Sequence, residues 1–274
     1  MNRAIWRKAV SDAWLQLVIS CVILVAFSWV FVWLMSQLPT KAFGKILTWL
    51  PDWVGSMIGV PLHLLGSPAG QLSLLYVHVV TMLVCVGWAV GRGSDSISGE
   101  IGRGTMDLIL SLPLRRASVV VAPAVVAAIG GAVLSAAILL GTCIGLHTVD
   151  FSKDVSLRQF LPGAVNLCCM IFCLTGITAL ISSWNRSRWR TISLAVGVYV
   201  TNVIVEMVGR VWQWGSWLRY CSFSTAFQPH VLILDPDSSG RLAMQYNGTL
   251  VGLGLAAYVV AVIVLTYRDI PSAR

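Results

Sequence analysis

Apolar residues gather into six long runs along this chain, at 13–35, 71–91, 117–145, 160–183, 191–209 and 248–267. Each is close to the ~20 residues a helix needs to cross ~30 Å of hydrocarbon at ~1.5 Å of rise per residue. Five of the runs hold no Asp, Glu, Lys or Arg; the run at 191–209 holds one, Glu206. The runs are continuous, whereas barrel strands alternate over ~10 residues, so the pattern predicts spanning helices. The expected fold class is an all-α membrane protein, with one six-span transmembrane domain over residues 1–274.

The polar stretches predict smaller elements. In NRAIWRKAVSD (2–12), Ile5, Trp6 and Ala9 fall to one side and Arg3, Arg7 and Lys8 around the other, which predicts a short amphipathic helix on the membrane surface. The first apolar run is longer than a signal-peptide core and no A-x-A site follows it, so it is expected to remain as an anchor. Residues 36–70 are too broken by Pro51, Pro61 and Pro68 to cross, and Trp49 and Trp53 suit surface helices. In 210–247, VWQWGSWL and HVLIL are apolar but too short to span, and Pro229 and Pro236 interrupt them. These read as re-entrant or surface helices.

Composition agrees: of 274 residues, 57% are hydrophobic and only 11% charged, against about 25% charged in a soluble domain. Charge then sets orientation. Of the 19 Lys and Arg, 12 fall in 1–12, 92–116, 184–190 and 268–274, although the alternate set of loops is far longer. By the positive-inside rule the first set, with both termini, is expected in the cytoplasm of a bacterium, across its inner or plasma membrane. No basic cluster is dense enough for nucleic-acid binding.

Catalytic patterns are missing. There is no H-E-x-x-H and no G-x-S-x-G, and the histidines at 63, 78, 147 and 230 stand apart. Six of the seven cysteines lie inside spans, where they serve as small hydrophobes; Cys168, Cys169 and Cys173 lack a Met or His at ligand spacing. No metal site is expected. Gly99 to Thr105 loosely resembles a phosphate-binding loop, but it lacks the lysine such a loop needs. In the fifth span Asn202 and Glu206 stand at i, i+4 and read either as a pathway-lining pair or, for Glu206, as the partner of Arg210. G-x-x-x-G spacings at Gly87–Gly91 and Gly141–Gly145, with Gly130-Gly131, predict close helix packing within the bundle or across a dimer.

The segment SISGEIGRGTMDLILSLPLRR (96–116) is the least suited to lipid. Ile97 and Ile101 share one helical face. Gly99, Gly102 and Gly104 predict a break, Thr105 is placed to cap a following helix, Asp107 suits its first turn, and Pro113 ends it. Two short surface helices are expected, with Asp95, Glu100, Arg103 and Asp107 turned from lipid towards a soluble partner. Arg115 and Arg116 would anchor the next span among headgroups.

From Glu100 through Gly104-Thr105-Met106-Asp107-Leu108 to Pro113 and Arg115-Arg116, this segment resembles the signature of ABC-2-type transporter permeases. The six-span layout, the basic amphipathic start and the closing Tyr267-Arg268-Asp269-Ile270-Pro271 resemble the family too. One departure is Ala122-Pro123, where many members carry a lysine. The resemblance implies a permease subunit, an exporter, paired with a second permease chain as homodimer or heterodimer. It also implies that a separate ABC ATPase holds ATP and Mg2+ and docks on 92–116, at Asp95, Glu100, Arg103, Gly104, Thr105, Asp107 and Pro113. The chain itself would hold no cofactor. An ion-coupled carrier would want more charge in its spans than His78, Asn166, Asn202 and Glu206 supply. A membrane scaffold for maturing a periplasmic enzyme is the other alternative.

Overall fold

A computed structural model of the chain describes residues 3–38, 49, 51, 55, 62–106, 108, 117–149, 155–234 and 239–267. Six helices in it are long and apolar enough to cross a membrane, and no strand occurs among the described residues. We label them α1 (Arg3–Gln37), α2 (Pro68–Gly102), α3 (Ala117–Thr148), α4 (Leu161–Trp184), α5 (Arg188–Val211) and α6 (Ser239–Tyr267). Each matches one of the six apolar runs, with Phe160 of the fourth run in the 3-10 turn (Leu157–Phe160) that leads into α4.

Two boundaries differ from the sequence expectation. The amphipathic start does not fold separately: α1 runs unbroken from Arg3, since no Gly or Pro lies between Arg3 and Gln37. Nor does the cytoplasmic expectation for Ile97 and Ile101, a separate surface helix, hold. They lie on the continuation of α2, because Gly99 carries the helix onward and only Gly104, at φ +69°, reverses it. α2 is itself composite. A 3-10 turn (Leu74–Tyr76) ends its outer part, and His78 restarts it by accepting a hydrogen bond from the Val80 amide on Nδ1 at 3.2 Å. His78 also packs 4.8 Å from the Phe27 ring. Thr81 Oγ1 donates to the Leu75 carbonyl at 2.7 Å and bridges the break.

α4 is the hub. It packs most extensively on α6, and also on α2 and α3, while α1 lies along α3. In the most apolar stretch of α4, 61% of residues are buried against protein; in α5 the share is 11%, so α5 sits at the edge. Small residues set the closest crossings. A Cβ at Gly141 would stand 2.6 Å from the Val25 carbonyl oxygen of α1, and one at Gly176 would stand 2.6 Å from the Gly254 carbonyl oxygen of α6. The Gly141–Gly145 spacing is thus a packing face, against α1. Within the chain the Gly87–Gly91 spacing is not one, since Gly87 faces open space.

The region 213–234 between α5 and α6 is a series of short helices, Gln213–Cys221, Phe223–Ala226 and Pro229–Leu234. None is long enough to cross. Trp214 and Tyr220 project from it almost fully exposed, and Trp29 donates to Thr148 Oγ1 at 3.0 Å near the outer end of α1. The outer stretch between α1 and α2 lies largely outside the described residues.

Candidate functional site

The apolar part of α2 ends at Gly91, and the next twelve residues build a charged knot. Past Ser94 the helix widens into a π segment, Asp95–Gly99. A π turn leaves backbone groups out of the regular ladder, and such turns recur at functional sites. Here the Ser98 amide donates to Ser182 Oγ of α4 at 2.8 Å. Ser182 Oγ lies 3.0 Å from Ser98 Oγ, and Thr191 Oγ1 of α5 donates to Ser98 Oγ at 2.9 Å. All three side chains are buried. The wide turn is therefore held by hydroxyls from two other helices. Sequence reading missed this trio; its only signal was the alternation of Ser94, Ser96 and Ser98 inside an apolar helix.

The widened turn rotates Asp95 and Glu100 inward. Glu100 is only 6% exposed. It accepts from Lys8 Nζ of α1, from Arg103 Nη2 at 2.6 Å and from Thr105 Oγ1. Asp95 Oδ1 accepts from Arg103 Nη1 at 2.7 Å and lies 3.5 Å from Arg188 Nη1 at the start of α5. Burial would lower the Arg103 pKa, but Asp95 and Glu100 outweigh it and raise the pKa. The helix then ends in a Schellman turn. The Thr105 amide reaches the Glu100 carbonyl at 3.1 Å, and the Gly104 amide reaches the Ile101 carbonyl at 3.0 Å. Gly104 supplies the left-handed residue this turn needs. Because the amides of 103–105 bond back into the helix, they are not free to cradle phosphate.

The sequence placed Asp95, Glu100, Arg103, Gly104 and Thr105 in one functional segment, and the structure brings all five together. Asp95 and Glu100 turn inward rather than towards a soluble partner, because Lys8, Arg103 and Arg188 surround them. Thr105 bonds back to Glu100. Met106 is buried beside Ile97, and Leu108 is exposed. Asp107, Pro113, Arg115 and Arg116 lie outside the described residues.

A second polar group stands at the end of α5 opposite Arg188. Arg210 Nε donates to Glu206 Oε1 at 3.0 Å, and Gln228 Nε2 donates to the same oxygen at 3.0 Å. Glu206 and Arg210 line a cavity of about 250 Å³ with Met82, Met170, Tyr199 and Phe227. Asn202 does not line it. Its Oδ1 accepts from the Phe223 amide at 3.2 Å, and its carbonyl accepts from Ser222 Oγ at 2.9 Å. Asn202 thus ties the outer segment to α5, and the pair separates into one cavity residue and one strap residue.

Asn166, buried in α4, fastens the same segment. Its Nδ2 donates to the Ala226 carbonyl (3.0 Å) and to Asn247 Oδ1 (2.8 Å), and its Oδ1 accepts from the Gln228 amide at 2.9 Å. Asn166→Leu orphans buried backbone groups at about 1–3 kcal/mol each. The expected result is a lower melting temperature in detergent and faster tryptic cleavage after Arg219. Unchanged cleavage would mean that the segment is held by other contacts.

No curated protein was found that matches the chain. The family described as ABC-2 family transporter protein matches residues 6–268, from the first turns of α1 through the charged knot to just past α6. Six spanning helices and a match over almost the whole length make this multi-pass membrane protein a member of the ABC-2 family of transporter proteins.

Proposed function

We propose that the chain is the membrane subunit of an exporter whose energy comes from a separate ABC ATPase docking at 92–116. ATP and Mg2+ belong to that partner. Residues 1–12, 92–116 and 184–190 then face the cytoplasm, consistent with the concentration of Lys and Arg there.

The observation that carries this reading is the knot around Glu100. Lys8 on α1, Asp95, Glu100 and Arg103 on α2, and Arg188 on α5 form one ion-paired group. A force applied beyond Gly104 is passed to three helices at once, not dissipated in a loop. Two of these, α1 and α5, are the least covered spanning helices, 28% and 11% buried in their most apolar stretches. Their uncovered faces suit pairing with a second permease chain. Glu206 and Arg210 give the outer end a charged pair facing a cavity, which suits a pathway lining. A charge at bilayer depth costs about 2.5–3.5 kcal/mol unless it faces protein or water.

The test is reconstitution. The chain is co-expressed with a candidate ABC ATPase from the same genome and purified in detergent. A stable complex with ATP hydrolysis above that of the ATPase alone is expected. Cargo movement by the chain in vesicles lacking any ATPase would overturn the proposal.

A further inference from the structure

A cavity of about 150 Å³ lies where the first turns of α1 meet the end of α2 and the start of α3. One wall is apolar: Ile5, Ala9, Val119, Pro123 and Val126. The other end is charged, with Lys8, Asp12, Arg92, Asp95 and Glu100. The cavity sits at the height where α1 and α2 change between charged and apolar sequence, at Asp12 to Ala13 on α1 and Gly91 to Arg92 on α2. In a bilayer this is the headgroup level.

Arg92 is the unusual group there. Its side chain is only 12% exposed, and it lies over the Trp88 ring at 5.8 Å. A guanidinium carries five N–H donors. Among the described residues Arg92 makes one hydrogen bond, from Nη1 to the Asp12 carbonyl at 2.9 Å. Asp95 Oδ2 lies 3.9 Å from Nη2, beyond hydrogen-bond length, and Nε is buried with no partner among the described residues. A buried cation with unused donors is costly unless an anion completes it. The surrounding charges leave room for one. Among the described residues, Lys8, Arg92, Arg103 and Arg188 stand against Asp12, Asp95 and Glu100, an excess of a single positive charge.

We propose that this cavity binds one phospholipid. Arg92 takes the phosphodiester through its free N–H groups, and an acyl chain lies along Ile5, Ala9, Val119 and Val126. A bound lipid then fills the wedge between α1 and the knot, so the site holds a structural lipid rather than cargo.

The full chain is washed in detergent, incubated with palmitoyl-oleoyl phosphatidylglycerol and examined by native mass spectrometry. One retained lipid per chain is expected. Arg92→Gln should reduce its occupancy about tenfold, the effect of a lost charge-assisted hydrogen bond. Ala9→Trp, which fills the apolar wall and leaves every ion pair in place, should reduce it similarly and decides the matter if Arg92→Gln does not fold. Neither inorganic phosphate nor glycerophosphoglycerol, the same headgroup without chains, should displace the lipid. Equal retention by the wild type and the folded variants overturns the proposal. So does displacement by the chainless headgroup, which would make this a soluble-phosphate site.

Discussion

Glu100→Lys is expected to reduce ATP hydrolysis by the reconstituted complex by more than tenfold while the six helices still insert and fold. The knot gathers Lys8, Arg103 and the Thr105 hydroxyl around this one carboxylate. Lysine there would place a third cation between two others at a position only 6% exposed. Removing one partner of a buried pair costs about 3–5 kcal/mol. Lys8 and Arg103 are each about two-fifths exposed, so water screens part of that. The change should therefore open the knot locally without unfolding the bundle. Arg103 keeps Asp95, so the Schellman turn should loosen rather than disappear. Two measurements separate coupling from damage: ATP hydrolysis in the complex, and the melting temperature of the chain alone. The double change Lys8→Glu with Glu100→Lys restores an opposite-charge pair and should recover part of the activity. Full activity in Glu100→Lys would sink the coupling role of the knot.

Gly176→Leu is expected to have the largest effect on the fold itself. A Cβ at this position would stand 2.6 Å from the Gly254 carbonyl oxygen and 3.2 Å from the Gly254 Cα. Backbone cannot swing aside as a side chain would. Overpacking a well-filled core costs about 1–3 kcal/mol even where side chains can adjust. Here α4 and α6, the most extensively packed pair, must separate. A loss of about 3 kcal/mol or more is expected, read as a collapse of the monodisperse peak in detergent and a lower melting temperature. Gly87→Leu is the matched control. Nothing lies within 4 Å of a Cβ there, so a leucine meets only open space and the melting temperature should hold. Equal damage from both changes would refute the packing explanation.

Local features of the fold and site were legible because their partners lie within a few residues of each other. The pairing of Glu206 with Arg210 follows from i, i+4 spacing, and the structure shows it. The break at Gly104 was visible because a Schellman turn needs a residue free to take positive φ. The same glycine reasoning failed at Gly99. A glycine tolerates helix as well as turn, and the choice between them was made by hydroxyls on α4 and α5. Lys8 and Glu100 are 92 positions apart, so nothing local links them. The cavity at Arg92 draws its walls from three helices and has no counterpart in the linear pattern.

The sequence alone determined that this chain crosses a bilayer six times and where the polar segment between α2 and α3 falls. Those outcomes depend on the length of apolar runs and on short-range capping, both of which are properties of consecutive residues. Tertiary structure alone decided that α4 is the hub and α5 the edge, that α2 runs on through a π turn, and that Glu100 faces inward to Lys8, Arg103 and Thr105. In lipid every helix face is already in an apolar solvent, so hydrophobicity does not say which faces meet. Close fit between small residues and pairing of buried polar groups make that choice, and both exist only once distant helices are side by side.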